Sequence, residues 1–264
     1  RQHQRSKSPT ESSGGSAMTD KLKVLDLFAG FGGFSLGLER TGGFETVAFC
    51  ENADFPRRVL AKHWPEVECF HDVSTADFST IGPVDLVTGG FPCQDISLAG
   101  HGAGLTGERS GLFWQILRAV RMVGQPQLLL ENVAALLDRG MGAVLGSLSQ
   151  IGYDSEWHCI PARYVGAPHG RDRIWIIADS NGSKWRAQSY CGPIGRMGGQ
   201  QQSFPWDTDW QSSLARFRGL DDGLPRSVAS TDGYRNAVVP QIPEMIGNAI
   251  LASHPMTPER GTAA

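Results

Sequence analysis

The feature that most constrains this chain is an alternation of short apolar segments with helical stretches. It begins at Lys23 and is punctuated by glycine turns. Segments 24–28, 46–50, 67–70, 84–88 and 127–130 read as strands, and 34–40, 55–63 and 112–122 as helices. Short apolar strands alternating with helices form βαβ units around a parallel sheet. Segments 157–161 and 173–178 read as two more strands, close enough in sequence to pair antiparallel, and 242–251 as a last apolar helix. The fold class expected is α/β, a doubly wound and mostly parallel sheet.

A chain of 264 residues suffices for one sizeable core with a small appended lobe. Residues 1–20, rich in Ser, Gln, Arg and Lys, read as a disordered leader, with Met18 within it as a natural start. A catalytic and cofactor-binding domain is expected over 21–179, a reduced target-recognition region over 180–234, and a returning C-terminal segment over 235–254. No apolar run approaches the roughly 18 residues of a membrane span, and no signal-peptide core is evident, so a cytoplasmic protein is expected. The five cysteines are odd in number and include no C-x-x-C pair, which argues against a disulfide framework or a structural zinc site. Each is read as a buried free thiol, with room for one reactive exception. The net charge of -3 weighs mildly against a nucleic-acid partner, although a local basic stripe suffices for one.

The candidate residues stand at strand ends. Asp26, Phe28, Gly30, Gly32 and Gly33 fall in a turn that follows the first strand and opens a helix, where glycines admit a ligand close to the backbone. Glu51 follows Gly30 by 21 residues, at the tip of the second strand. A carboxylate so placed can accept both hydroxyls of a ribose. Asp72 ends the third strand and could accept from an adenine amino group. Pro92 stiffens the backbone before Cys93, just past the fourth strand. Glu131, Asn132 and Val133 close the fifth strand, which neighbours the fourth in common doubly wound orders. Arg171 and Arg173 flank Asp172, and alternation puts both on one face, where they can fix a base carbonyl and a phosphate.

Together these pieces resemble the DNA cytosine C5-methyltransferase family. The resemblance rests on 26–33, Glu51, Pro92-Cys93-Gln94, Glu131-Asn132-Val133, Arg171, Arg173 and 236–240, in the family's order. It implies a Rossmann-like class I methyltransferase with a small irregular recognition lobe, S-adenosylmethionine as cofactor, and no metal. Double-stranded DNA is the implied partner and a monomer the implied state. It further implies catalysis by Cys93, Glu131, Arg171 and Arg173, and cofactor contacts from Phe28, Gly30, Gly32, Glu51, Asp72, Val73, Pro92 and Asn236. The segment 107–112 resembles the one leading a helix beside the cofactor, and the last helix resembles one that returns beside the first. By this resemblance Cys93 adds to C6 of a flipped cytosine before methyl transfer to C5.

The sequence departs from the family at His169, where Gln is usual, and at Arg235, where Gly is usual. The recognition region is short, without the family's Thr-x-x-Glu and Gln-Gly-Phe-Pro segments. Within 181–235 seven Lys and Arg face five Asp, with Trp185, Trp206 and Trp210 interleaved. Basic and aromatic residues together suit nucleic acid. Two alternatives stay open: an RNA cytosine methyltransferase with the same core, and a non-catalytic nucleic-acid-binding member. A cysteine hydrolase using Cys93 with His101 or His169 leaves Glu51 and the glycine turn unexplained, and the motifs of a zinc cytosine deaminase are missing.

Overall fold

The computed structural model describes residues 21–91, 111–167, 170–180 and 237–253. Its strands are β1 (Leu22–Leu27), β2 (Phe44–Cys50), β3 (Glu68–Phe70), β4 (Leu86–Gly90), β5 (Gln127–Val133), β6 (Tyr153–Pro161) and β7 (Asp172–Ser180). They form one sheet in the order β3-β2-β1-β4-β5-β7-β6. The first five pair in parallel, and β7 inserts antiparallel between β5 and β6. This is the expected doubly wound, mostly parallel sheet. Strand order reverses between β1 and β4, so a crevice opens beyond their carboxyl ends, the usual ligand position in such sheets.

The helices form because apolar residues recur at helical spacing and have a sheet face to cover. In α1 (Gly33–Arg40) Phe34 and Leu38 are buried, in α3 (Leu112–Met122) Phe113, Ile116, Leu117 and Val120, and in the last helix, α6 (Gln241–Ser253), Ile242, Ile246 and Ile250. Each such side chain contributes about 1.5–3 kcal/mol by leaving water. The residues of α1 and α6 share one core cluster with Val24, Leu129 and Trp175, while α3 packs with Leu25, Val87 and Leu130 on the other face.

The contact between α1 and α6 is made close by glycine. A Cβ at Gly37 would run into the Pro240 carbonyl oxygen, and one at Gly33 would lie 2.6 Å from the Val238 carbonyl oxygen. Across the interface, a Cβ at Gly247 would lie 2.9 Å from Leu38. The returning helix thus docks on the first, as expected, and sets 237–239 against the start of α1.

Some elements differ from the sequence reading. β4 spans Leu86–Gly90 rather than 84–88, because Val84 and Asp85 bond instead to Val123 and Lys23 before the ladder with Val24 begins. The α2 helix (Asp54–His63) starts one residue early. Two helices, α4 (Leu136–Arg139) and α5 (Met141–Gln150), stand where none was read. Their glycines, at 140, 142 and 146, mask a helical pattern that buries Met141, Val144 and Leu148. Among the described cysteines only Cys50 is buried; Cys69 is half-buried, and Cys159, on edge strand β6, is exposed.

Candidate active site

A cavity of about 530 Å³ opens at the carboxyl ends of the parallel strands. Phe28 and Gly30 form part of its wall, with φ of 53° and 54°. A left-handed φ is costly for Phe28, and such strain is typical of turns that a ligand approaches. A Cβ at Gly30 would meet nothing within 4 Å, so that wall is open rather than packed by protein.

Glu51 completes this corner. Its Oε2 accepts from the Gly30 N–H at 2.8 Å and its Oε1 from the Ala53 N–H at 2.8 Å. Two backbone bonds hold the carboxylate in one rotamer and leave lone pairs on both oxygens for a ligand, since a carboxylate offers about four acceptor sites. His71, Asp72 and Val73 continue the wall. Asp72 Oδ1 accepts from the Ser74 N–H at 2.8 Å and the Ser74 hydroxyl at 2.7 Å. These bonds hold its carboxyl below the usual carboxylate range, so near neutral pH it only accepts hydrogen bonds. Cys50 also lines the cavity, and burial pushes its thiol up to about 12, leaving it protonated and inert.

The opposite wall belongs to β4 and β5. Gly90 pairs with Glu131, and a Cβ at Gly90 would lie 3.3 Å from Glu131 Oε2, so the glycine leaves room for the carboxylate. Glu131 is buried, and Arg173 Nε lies 2.8 Å from its Oε1. Burial pushes the Glu131 carboxyl above its ordinary range, while Arg173 and Arg171 draw it back. Burial also lowers the Arg171 guanidinium from its ordinary value. Next along β5, buried Asn132 donates through Nδ2 to the Phe91 carbonyl at 2.8 Å and accepts from the Val133 N–H at 2.8 Å. It therefore fixes the main chain where β4 ends.

A family model described as C-5 cytosine-specific DNA methylase matches residues 22–214, most of the chain. The chain belongs to the C-5 cytosine-specific DNA methylase family. Among similar curated proteins, the type II methyltransferase M2.BsuMI of Bacillus subtilis is 36% identical over 165 residues, covering 60% of this chain and 42% of that protein. The type II methyltransferase M.Sau3AI of Staphylococcus aureus is 33% identical, covering 64% and 47%. The orphan methyltransferase M.SPRI of Bacillus phage SPR is 32% identical, covering 60% and 37%. The chain thus spans less than half the length of each of these three relatives. Among solved structures, a Spodoptera frugiperda DNMT2 mutant aligns with a TM-score of 0.52 at 20% identity, covering 64% of this chain and 53% of that one. An S. pombe Dnmt2 methyltransferase aligns with a TM-score of 0.52 at 22% identity, covering 62% and 52%. Both likenesses concern the fold.

Within this family fold, the residues singled out from the sequence gather unevenly. Phe28, Gly30, Glu51, Asp72, Val73 and Glu131 all line the one cavity; Arg173 pairs with Glu131, and neither it nor Arg171 is among the lining residues. Gly32 does not line it. Its φ of 77° and a Cβ position 2.8 Å from the Trp64 ring tie that glycine to packing between α1 and α2. Pro92, Cys93 and Asn236 lie outside the described residues, as do His169, Arg235 and 181–236. Their chain neighbours are placed: Gly90, Ala237 and Val238 line the cavity. Among the described residues no helix is long and apolar enough to cross a membrane, and no cluster of His, Cys, Asp and Glu could hold a metal ion.

The sequence reading missed Asn132 as a backbone clamp, and it placed Asp26 in the ligand-facing turn without its role as a buried link between elements. Asp26 is fully buried and accepts from Ser35 at 2.9 Å and Thr88 at 2.7 Å, joining β1, α1 and β4 beneath the cavity. Burial pushes its carboxyl up to about 7. A carboxylate within the apolar run 24–28 was the available signal.

Proposed function

We propose that this chain transfers a methyl group from S-adenosylmethionine to C5 of cytosine in double-stranded DNA. The observation that carries the reading is the single cavity shared by Glu51 and Glu131, in a chain of this family. One end of it offers a fixed carboxylate for a ribose and an ionised Asp72 that accepts from an amino group, which fits an adenosine. The other end offers a carboxyl beside two arginines, which fits a pyrimidine ring. About 530 Å³ falls within the roughly 300–1,000 Å³ of small-molecule sites. The cofactor, when bound, supplies an electrophilic methyl group.

The chain's own residues do the rest. Cys93 adds through sulfur to C6 of the ring, and the displaced electron pair makes C5 nucleophilic. Glu131, with its carboxyl raised by burial, holds a proton at N3 and so favours that addition. Arg173 keeps Glu131 in place and, with Arg171, supplies donors for the base carbonyl and a phosphate. Loss of the C5 proton and departure of the Cys93 thiolate restore the aromatic ring. The cytosine must leave the helical stack to reach these groups.

The test is trapping on DNA containing 5-fluorocytosine, beside a matching RNA, with S-adenosylmethionine present. Fluorine at C5 cannot leave as a proton does. A denaturant-stable DNA adduct, lost in Cys93→Ser, is the expected result. An adduct on RNA alone would reassign the substrate. No adduct on either, from folded protein that binds cofactor, would point to a non-catalytic member of the family.

A further inference from the structure

Two guanidinium groups from helices on different sides of the sheet grip the chain around Asp72. Arg57, on α2, shares its Nη1 among the carbonyls of Glu51, Cys69 and Phe70, at 3.1, 3.1 and 3.0 Å. These are the ends of β2 and β3. Arg118, on α3, donates from Nη2 to the carbonyls of Val73 at 2.6 Å and Ala76 at 2.8 Å. Its own helix fixes Arg118 in turn, through Nε to Gln115 at 3.0 Å and Nη1 to the Met122 sulfur at 3.5 Å. Between the two clamps, the Thr75 and Ala76 N–H groups fold back on the Asp72 carbonyl.

Apart from these clamps and the burial of Val73 and Ala76, the segment has few ties. β3 has three residues and pairs only with β2. Asp72 is exposed and, among the described residues, bonded only within its own turn. The carbonyls that Arg118 caps belong to Val73 and Ala76, whose side chains are buried under α3 with the core. Both carbonyls accept from the one nitrogen Nη2, which the Nε and Nη1 bonds to Gln115 and Met122 hold in place; a lysine could donate to the same oxygens but would lack those two anchoring bonds.

We infer that Arg118, assisted by Arg57, is a positioning residue for the adenosine end of the cavity, holding 72–76 so that Asp72 and Val73 present a fixed edge to an adenine. This rests on the cofactor reading given above. Arg118 is not among the residues that line the cavity and bonds main-chain carbonyls, so it acts through the backbone and not by touching the ligand. The same helix packs Phe113 on Phe91 at 5.3 Å, so α3 braces both halves of the site.

The test combines amide hydrogen exchange with binding of S-adenosylhomocysteine and its inosine counterpart, which lacks the purine amino group. In Arg118→Met, exchange of the 74–76 amides should rise at least tenfold while β1 and β4 stay protected. Affinity for S-adenosylhomocysteine should fall on the order of tenfold. Affinity for the inosine compound should change little, so the preference between the two collapses. Arg118→Lys should lie between. Unchanged exchange at 74–76, or an equal loss for both compounds, would overturn the inference. If the unaltered chain binds neither compound, the cofactor reading itself fails, and exchange alone still decides whether Arg118 holds the segment.

Discussion

Arg173 on β7 reaches diagonally across the antiparallel ladder to set its Nε 2.8 Å from Oε1 of Glu131 on β5. Arg173 is paired directly with Val133, two residues further along β5, so the pair uses the diagonal reach open to long side chains on one face. Burial raises the Glu131 carboxyl and the guanidinium restrains that rise, so the arginine tunes the acid as well as orienting it.

That relationship predicts the behaviour of Arg173→Met. Removing the positive charge leaves burial less opposed, and the Glu131 carboxyl should titrate at higher pH than in the unaltered chain. Carboxyl infrared spectroscopy, with Glu131→Gln as the difference reference, reads this directly. An unchanged or lowered value would show that the pair does not set the acid. Glu131→Gln itself should slow methyl transfer by roughly 100- to 10,000-fold, the usual worth of acid–base help, with cofactor affinity little altered.

Glu51 gives a second prediction. Its carboxylate ties Gly30 to Ala53, and the same oxygens face the cavity. Glu51→Ala removes the ligand acceptor and both backbone ties. S-adenosylhomocysteine affinity, measured by calorimetry, should fall by about tenfold or more. An affinity within twofold of the unaltered chain would remove Glu51 from the site.

How much of this was legible in the sequence depended on where each residue's partner lies. Glu51, Asp72, Val73 and Glu131 stand at or just past strand ends, and a doubly wound sheet brings strand ends together whatever the details of packing. Their convergence on one cavity followed from strand order alone. Arg57, Arg118 and Asn132 were not legible because they bond main-chain carbonyls, and a carbonyl leaves no mark in residue type. Gly32 was read with the ligand-facing glycines, yet its neighbour is Trp64, more than thirty residues on; only the fold brings them together. The glycines of α5 hid a helix for a related reason: burial of Met141, Val144 and Leu148 on the sheet outweighs a poor local propensity.

Asp26 predicts a pH dependence of stability. Its carboxyl is raised from 3.8 to about 7 by burial, so the folded state keeps a proton that the unfolded chain loses. The stabilisation is fully present below the unfolded value and is lost as pH rises through about 7. Between pH 5 and pH 8 the unaltered chain should lose about 2–3 kcal/mol more stability than Asp26→Asn, which has no proton to release at this position. Urea unfolding at the two pH values checks the difference. Equal losses would mean that Asp26 is ionised when folded and that Ser35 and Thr88 carry its charge.

The interface of α1 and α6 supports a paired prediction, because glycines of the same type sit in opposite surroundings. At Gly37 an added methyl meets the Pro240 carbonyl, and the backbone there cannot turn aside as a side chain could. At Gly146, on the exposed face of α5, an added methyl meets nothing within 4 Å. Gly146→Ala should therefore stabilise the fold by about 0.5–1 kcal/mol, the helix preference alone. Gly37→Ala should cost about 1–3 kcal/mol by overpacking, against that same preference. It should also weaken binding of S-adenosylhomocysteine, because a displaced α6 carries Ala237 and Val238 away from the cavity wall. Urea unfolding and calorimetry on the two variants decide it. If Gly37→Ala proved stabilising with affinity unchanged, the returning helix would be neither tightly docked nor part of the site.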